Sequence, residues 1–419
     1  LKILISAFAC QPGQGSEPGL GWGVVTQAAR RHRVIVLADA HNKDLVRGAP
    51  AGRPPAGVHF IFLGLPVAYR RLEGIKFLGY AYYFLWQLVA LRIARRLHKK
   101  LKFDLVHHAT YANCWAPSLL GYLGIPFVCT AGGRDVTPLS FLEYFSWRGR
   151  ISEILRNFAV RWLGRLANKV AASRAAVTLT SSAPDTWPRQ VVVERFPLGA
   201  LDESELAKLN SVGIRQATCF RIASIGKLLA LKGFGLGLFA FARLLRQYPE
   251  SEYWIIGSGP EERWLRKLAA RLGCADRVKL LGWMARDELF SVLAEVDVLL
   301  HPSLHEQFGY VVLEAMAAGR PVISLARGGC ELLADSGGGR AIPVNSPGQV
   351  IDDLYKALLD LAANPENRRR AGARARQSAQ AYWNWSEVGL RLEAVYQQAL
   401  KSSYVLPARA ITAVVSGRK

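Results

Sequence analysis

The feature of this sequence that most constrains its fold is a regular alternation of short apolar runs with helical stretches. The runs are rich in β-branched and aromatic residues, and helical or turn segments separate them. Because most are apolar throughout, they predict strands of parallel sheets that helices cover on both faces. The predicted strands are KILISAF (2–8), RVIVLA (33–38), VHFIFL (58–63), DLVH (104–107), IPFVCT (125–130), AAVTLT (175–180), VVVER (191–195), CFRIASIG (219–226), SEYWIIG (251–257), RVKLLG (277–282), VDVLLHPS (296–303) and PVIS (321–324).

The alternation is interrupted at 197–217 and then restarts. At 419 residues, the chain is also longer than one ordinary domain. We therefore predict an α/β fold of two doubly wound, Rossmann-like domains that face a cleft. The first covers 1–200, the second covers 218–384, and a linker over 201–217 joins them. Ligands of such sheets bind beyond the carboxyl ends of the strands, so the motifs at those ends are the candidate site.

The charge of the chain is distributed unevenly. The formal net charge is +22, and residues 1–200 carry 26 Lys+Arg against 10 Asp+Glu. An excess of positive charge in this half of the chain favours binding of phosphate groups, which could belong to nucleic acid, to anionic lipid or to a substrate. No nucleic-acid recognition motif occurs, so we expect no nucleic-acid partner.

Cysteine usage and the start of the chain bear on location. The six cysteines are scattered and form no C-x-x-C, which predicts neither disulfides nor a zinc site and fits a reducing cytosol. The stretch KILISAF begins at residue 2 and is predicted to be a buried strand, with no signal-peptide pattern before it. We therefore expect no signal peptide and a cytoplasmic protein. No D-x-D and no His/Cys cluster with ligand spacing occurs, so we expect no metal site and no cofactor.

Residues 305–323, HEQFGYVVLEAMAAGRPVI, place two glutamates around the start of a predicted helix. Glu314 lies in an apolar run with no other charge, which favours a ligand-binding group over a solvated helix face. Glu306 lies on the preceding loop. The backbone N–H groups at the helix start are predicted to point into the cleft and bind phosphate. They belong to Phe308, Gly309 and Tyr310.

Two lysines follow the first strand of the second half. Lys227 and Lys232 lie in IGKLLALKGF, where a pair of cations can neutralise charge that develops on a departing diphosphate. Two solvated lysines around a turn would be the better interpretation of this stretch alone. The two glutamates beside them favour the diphosphate.

The E-x7-E spacing of Glu306 and Glu314 resembles that of the retaining GT-B glycosyltransferases of the glycosyltransferase 4 family, the group 1 glycosyltransferases. The resemblance implies a GT-B fold and transfer of a hexosyl unit from a nucleotide-diphosphate sugar to a hydroxyl of a saccharide or lipid-linked saccharide, in polysaccharide or glycolipid biosynthesis. It also implies that the last helix, within 385–419, crosses back onto an acceptor-binding N-terminal domain. Supporting segments are SIGKLLALKG (224–233), IIGSGPEERWLRKLAARLG (255–273), VKLLGW (278–283), VDVLLHPS (296–303), GGCELL (328–333) and, more loosely, GSEPGLGW (15–22) and FDLVHH (103–108).

For individual residues, the resemblance implies that Glu306 binds hydroxyls of the transferred sugar and Glu314 the nucleotide ribose. Lys227 stands where the family usually has arginine, and a lysine keeps the charge but loses the bidentate fork. The same segments contribute Gly226, Gly257 and Trp283 as further candidate substrate-binding residues.

The glycine-rich stretch 11–23, QPGQGSEPGLGWG, follows the first strand and opens a helix. Its glycines, Gly15 and Gly19 among them, let backbone approach a ligand closely and leave N–H groups free for anions. The resemblance implies that this loop covers the diphosphate and acceptor side of the cleft. Asp39 follows this stretch by about 20 residues, and the two together partly match the motif that binds a dinucleotide in Rossmann folds. The match is incomplete, because G-x-G-x-x-G is absent. A nicotinamide-dependent oxidoreductase is therefore an alternative.

Two motifs end strands of the first half. His107 and His108 end FDLVHH, where the resemblance implies one histidine near the reacting sugar. Neighbouring side chains of a strand point to opposite faces, so only one of the two is expected to be functional. After another strand, AGGRD (131–135) is predicted to face the acceptor through Gly132, Gly133 and Asp135.

A basic stripe lies on a predicted helix at 92–100, behind an uncharged, aromatic stretch at 77–91. The stretch is too short to span a bilayer, which needs about 20 residues. It suits either an interfacial helix on an anionic membrane, at the inner face of the cell membrane, or a core helix with a solvated basic face. A catalytically silent membrane-surface scaffold of the same fold is a further alternative. The basic residues are Arg92, Arg95, Arg96, Lys99 and Lys100.

Overall fold

The computed structural model describes residues 1–48, 56–65, 78–111, 118–132, 135–182, 187–188, 191–213 and 219–403. Its strands are β1 (Lys2–Ser6), β2 (Arg33–Asp39), β3 (Val58–Leu63), β4 (Leu105–His108), β5 (Phe127–Thr130), β6 (Val177–Thr180), β7 (Val193–Arg195), β8 (Arg221–Ile225), β9 (Glu252–Ile256), β10 (Val278–Gly282), β11 (Val298–His301), β12 (Val322–Leu325) and β13 (Arg340–Ile342). Its helices are α1 (Ser16–Ala29), α2 (Lys43–Gly48), α3 (Leu78–Leu101), α4 (Trp147–Val170), α5 (Glu203–Asn210), α6 (Phe234–Leu244), α7 (Glu262–Arg271), α8 (Arg286–Glu295), α9 (Tyr310–Ala317), α10 (Gly329–Leu333), α11 (Pro347–Ala363), α12 (Pro365–Tyr382) and α13 (Trp385–Ser403).

The strands form two sheets in which every pair is parallel. The first runs β3-β2-β1-β4-β5-β6-β7 and the second β10-β9-β8-β11-β12-β13. In each sheet the strand order reverses beside the first strand, at β1/β4 and at β8/β11, which is where doubly wound folds bind ligands. The predicted α/β fold of two Rossmann-like domains is confirmed.

Burial of the strands on both faces explains their continuous apolar sequences. In β1, Ile3 and Ile5 pack into one hydrophobic cluster and Leu4 into another, and all three are fully buried. Alternate side chains of a strand point to opposite faces, so an apolar residue is required at each of these positions.

The last helix, α13, packs against α1 of the first domain. Leu201 in the linker pairs with Asn384 in a parallel bridge just before α13 begins. On the helix itself, Glu393 accepts a bond from His32 at 2.6 Å, and the Tyr396 hydroxyl lies 2.9 Å from His107 Nδ1. We keep the domain boundaries given above as a proposal, and this packing supports the crossing of the last helix, Trp385–Ser403, onto the first domain.

Helix α3 carries the basic stripe, and its aromatic side chains mostly face inward. Tyr82, Tyr83 and Trp86 are buried in the core on one face of the first sheet. The arginines and lysines of 92–100 are exposed. This arrangement favours the core-helix interpretation of α3. None of the helices in the described part of the chain is long and apolar enough to cross a membrane.

Replacing Tyr396 with Phe should destabilise the protein, because the Nδ1 atom of the fully buried His107 loses its hydrogen-bond partner. We expect the free energy of unfolding in urea to fall by about 1–3 kcal/mol. Tyr382→Phe, at a half-exposed position of α12, is the matched control and should leave it unchanged. An unaltered midpoint in Tyr396→Phe would show that α13 does not dock through this bond.

Candidate active site

The loops that leave β8 and β9 are held together through their backbones. The Gly226 N–H donates to the Ile256 carbonyl at 2.9 Å, and the Gly257 N–H donates to the Gly282 carbonyl at 2.7 Å. A Cβ atom at Gly257, whose φ is +137°, would lie 1.9 Å from the Gly226 carbonyl oxygen. Glycine is therefore required there. This contact fixes the start of the loop on which Lys227 is exposed.

The side chain of Glu306 lies between two basic groups. It is on the loop from β11 to α9, and its Oε2 accepts a bond from Lys232 Nζ at 2.5 Å and lies 2.9 Å from His301 Nε2. Burial alone would raise the pKa of Glu306, but the Lys232 ammonium and the His301 bond lower it well below its usual range. The carboxylate is therefore ionised. No side chain in the described ranges bonds its Oε1.

Two glycines after β12 fix the loop that carries Glu306. Gly328 has a φ of +52°, and a Cβ there would lie 1.8 Å from the Glu306 carbonyl oxygen. The Gly329 N–H donates to the Gln307 carbonyl at 3.1 Å. The GG pair thus permits a close backbone approach that sets the position of the Glu306 carboxylate.

The start of α9 meets the glycine-rich stretch of the first domain. Gly309 caps the helix in a left-handed conformation with a φ of +89°. The Phe308 and Tyr310 rings pack edge to face at 5.3 Å. A Cβ at Gly19 would lie 3.9 Å from the Tyr310 hydroxyl. The structure therefore brings together Gly19 and the start of α9 across the two domains, while Gly15 caps α1.

Glu314 is bound by an arginine that the sequence analysis did not identify. Arg286 Nε donates to Glu314 Oε1 at 2.7 Å, and Arg286 Nη1 also bonds Glu205 of the linker helix α5. Burial raises the pKa of Glu314, and Arg286 opposes that rise. Arg286 is the first residue of α8, where a positive charge interacts unfavourably with the helix dipole. This unusual position was the one sign in the sequence that Arg286 has a specific partner.

The two histidines of β4 face different partners. Both ring nitrogens of His107 are occupied, Nδ1 by Tyr396 and Nε2 by Thr130 Oγ1 at 3.0 Å, and burial lowers the pKa of His107 to about 3. His108 Nε2 lies 3.3 Å from the Tyr83 hydroxyl, and burial lowers its pKa to about 4. Both rings are neutral, and only His107 is tied to the C-terminal helix.

At the end of β5, Gly132 is buried, and Gly133 lies outside the described residues. Asp135 is 3.7 Å from the Arg327 guanidinium of the second domain, and Ser182 donates to it at 3.3 Å. Burial raises the pKa of Asp135. This edge of the first sheet therefore contacts the second domain directly.

Two other candidates have different surroundings. Trp283 follows β10 at the same sheet edge and is 74% exposed. Asp39 is buried, and its carboxylate accepts bonds from Tyr82 at 2.7 Å and from His41. Asp39 is thus engaged in contacts within the first domain and is only 2% exposed, so its surroundings give the dinucleotide interpretation no added support.

A cavity of about 330 Å³ lies between the domains, beside α1, the linker and the start of α13. Gly19 and Tyr310 line it, together with Glu205, the partner of Arg286. Lys232, Glu306 and Glu314 are not in its wall. The candidate residues form two charged groups, one around Glu306 and one around Arg286. Among the described residues, no group of three or more His, Cys, Asp or Glu could hold a metal ion.

Two family models match the chain. Glycosyl transferases group 1 matches residues 215–378, and Glycosyltransferase Family 4 matches residues 24–178. The two segments together cover more than half of the chain. The chain belongs to the group 1 glycosyltransferases. The predictions of this family, of a GT-B fold and of a glycosyltransferase are confirmed, and the oxidoreductase and silent-scaffold alternatives are set aside.

Named relatives act on different acceptors. The chain is 27% identical over 325 residues to 2-deoxystreptamine glucosyltransferase of Streptomyces kanamyceticus, covering 74% of this chain and 80% of the relative. It is 30% identical over 217 residues to the GDP-mannose-dependent monoacylated alpha-(1-6)-phosphatidylinositol monomannoside mannosyltransferase of Corynebacterium glutamicum, covering 50% and 55%. The crystal structure of Anabaena HepE in complex with UDP and glucose superposes with a TM-score of 0.57 at 19% identity, covering 94% of this glycosyltransferase and 99% of that chain.

Replacing Arg286 with Gln should destabilise the glycosyltransferase in a pH-dependent way. Without the guanidinium, burial and the Glu205 charge would raise the pKa of Glu314 further. A carboxyl whose pKa is higher in the folded than in the unfolded state favours folding at low pH and opposes it as pH rises. We expect a loss of about 2 kcal/mol or more at about pH 7 and a smaller loss at about pH 5.

The measurement is urea unfolding at both pH values. Arg277→Gln is the matched control, because Arg277 pairs with Glu250 on the surface and should contribute less than about 1 kcal/mol. A loss in Arg286→Gln that is equal at both pH values would contradict the assignment of Arg286 as the counter-charge of Glu314.

Proposed function

We propose that this enzyme transfers a hexosyl unit from a nucleotide-diphosphate sugar to an acceptor hydroxyl with retention of anomeric configuration. The observation that carries the proposal is the Lys232–Glu306–His301 cluster at the carboxyl ends of β8 and β11. An ionised carboxylate with one oxygen held by cationic and imidazole groups can accept hydrogen bonds from sugar hydroxyls through the other. Beside it, Lys232 can meet the phosphate that bears the sugar.

Relatives support the choice of donor. One is named as GDP-mannose-dependent, and Anabaena HepE has been crystallised with UDP-glucose. In this chain, the backbone N–H groups at the start of α9 and the ammonium groups of Lys227 and Lys232 are the candidates to hold the diphosphate. Gly226 and Gly257 let their backbones approach it. No metal ion or other cofactor is part of the proposal.

The nucleoside is assigned to the second charged group. Glu314 already holds Arg286 through one oxygen, at 2.7 Å. A carboxylate has about four lone-pair sites, so Glu314 can keep this bond and also accept from ribose hydroxyls. Arg286 would then orient Glu314 rather than compete with the donor. Trp283, exposed after β10, is assigned to the base.

In the reaction, the acceptor hydroxyl attacks the anomeric carbon on the face from which the diphosphate departs. The bond from the anomeric carbon to the phosphate oxygen breaks, and the bond to the acceptor oxygen forms. The acceptor proton passes to the departing phosphate, whose charge Lys227 and Lys232 stabilise. Glu306 and Glu314 are each paired with a cation, so neither is presented as a nucleophile for double displacement.

Of the two histidines, we assign His108 to the reacting sugar. His107 has both nitrogens bonded, to Tyr396 and Thr130, and holds the C-terminal helix. The neutral His108 imidazole could accept from or donate to a sugar hydroxyl once the sugar is bound. Gly15, Gly19, Gly132 and Gly133 remain assigned to the acceptor and diphosphate side of the cleft.

The acceptor is proposed to be a saccharide or a lipid-linked saccharide in polysaccharide or glycolipid biosynthesis. Relatives support both classes, since one is named for 2-deoxystreptamine and others for a phosphatidylinositol monomannoside and for lipopolysaccharide core. A lipid-linked acceptor would be met by a cytoplasmic enzyme at the inner face of the cell membrane.

Glu306→Gln should lower kcat/KM by about a hundredfold or more, because a misplaced sugar loses its reactive orientation. A thermal-shift screen of UDP-, GDP- and ADP-sugars identifies the donor, and release of nucleoside diphosphate measures turnover. Glu366→Gln, an exposed carboxylate of the second domain, is the control and should be fully active. Full activity in Glu306→Gln would overturn the assigned role.

Retention is tested separately with the donor found in that screen. Proton NMR of the product should show the same anomeric configuration as the donor, because bond formation and cleavage occur on one face. Time points early in the reaction avoid mutarotation of any released sugar. An inverted product would refute the same-face mechanism while leaving the donor assignment intact.

A further inference from the structure

Helix α4 (Trp147–Val170) turns large apolar side chains outward. Trp147 is 67% exposed, and Phe158 and Trp162 are each 60% exposed, with their rings 6.1 Å apart. At about 100° per residue, six such side chains fall within an arc of roughly 100°. They are Trp147, Ile151, Ile154, Leu155, Phe158 and Trp162, which we call the α4 apolar stripe.

Apart from Val160, the buried side of α4 within its described positions is small or polar. Thr137 donates to Glu153 at 2.8 Å, and Asn157 donates to the Thr137 carbonyl at 2.7 Å. A Cβ at Gly149 would lie 2.6 Å from that of Ala230. An ordinary surface helix has the opposite arrangement, with apolar residues inward. An exposed apolar area of this kind marks an interaction surface.

Positive charge borders the α4 apolar stripe on both sides. Arg148 follows it on one edge and Arg150 and Arg161 on the other, and all three are exposed. The Arg148 guanidinium lies 5.1 Å from the centre of the Trp147 ring. The only acidic residue in the sequence of α4 is Glu153, which is buried. The outward face thus combines an apolar centre with cationic edges.

We propose that α4 docks on an anionic membrane surface, with the stripe in the acyl boundary and its arginines at the lipid phosphates. Helices with an apolar face, aromatic residues and basic edges bind in the interface plane in this way. The stripe runs for about 22 Å along the helix, at about 1.5 Å per residue. A second copy of this face would fit less well, because it offers no acidic side chain to meet Arg148 or Arg161.

The docking surface differs from the one that the sequence suggested. On α3, the exposed large apolar side chains within its described positions are Leu101, at the end of the helix, and the pair Phe84 and Leu88. These two residues therefore provide a matched control for α4. The inference does not depend on the proposed reaction, because vesicle binding is measured without donor or acceptor.

The test is co-sedimentation of the full chain with two kinds of vesicle, phosphatidylcholine alone and phosphatidylcholine with phosphatidylglycerol in a two-to-one ratio. Wild type should bind only the anionic vesicles, and added salt should weaken binding. Phe158→Ser/Trp162→Ser should reduce binding about tenfold or more. Phe84→Ser/Leu88→Ser should bind within about twofold of wild type.

The charge contribution is tested with Arg148→Gln/Arg161→Gln, which should bind anionic vesicles about tenfold more weakly. Thermal unfolding should be the same for every variant, because all of the changed side chains are exposed. Equal binding by Phe158→Ser/Trp162→Ser and wild type would overturn the inference. So would equal binding to both kinds of vesicle, or a wild-type dimer that Phe158→Ser/Trp162→Ser abolishes in the absence of vesicle binding.

Discussion

Parallel pairing delivers the outgoing loop of every strand to one edge of its sheet, and this constraint determines where chemistry can occur in the protein. Lys232 and Glu306 are 74 residues apart in sequence. They meet because β8 and β11 are hydrogen-bonded neighbours that end at the same edge. The crossing α13 and the Leu201–Asn384 bridge then hold the first domain against that edge. The position of each functional group therefore follows from strand order.

Electrostatics divides the site into two groups with different tasks. Around Glu306, Lys232 and His301 hold a carboxylate ionised despite its burial. In the second group, Arg286 forms ion pairs with two carboxylates, Glu314 and Glu205, and Glu205 lies on the linker helix α5. In the proposed reaction, donor binding would add negative charge to the first group, and Lys232 would exchange part of its bond to Glu306 for phosphate. In the second group, the charges of Arg286, Glu205 and Glu314 are already paired, so no such exchange is needed. In the proposed mechanism this group therefore recognises the donor and does not stabilise developing charge.

The apolar runs of the sequence correctly predicted twelve strands. The features that the sequence did not predict are those that depend on contacts between residues far apart in the chain. Strand β13, Arg340–Ile342, is only three residues and begins with a charge, so it carries no such signal. The pairing of Arg286 with Glu205 links residues 81 apart, and no local pattern reports it. The α4 apolar stripe is visible as a helical period, but periodicity cannot say which side faces the protein. Thr137 and Asn157 decide that, through polar contacts on the inner face.

The inner face of α4 also explains why an inverted helix can be stable here. Arg156 donates to Glu153 at 2.9 Å and to Thr137 at 2.9 Å, so the buried carboxylate is neutralised within the helix. The same guanidinium acts on His305, whose pKa is lowered to about 4 by burial and by the charge of Arg156. Because His305 immediately precedes Glu306, Arg156 also acts on the loop that carries the proposed sugar-binding carboxylate. Arg156 therefore has two roles, since it pairs with the buried Glu153 on the inner face of α4 and contributes to the electrostatics of the loop before Glu306.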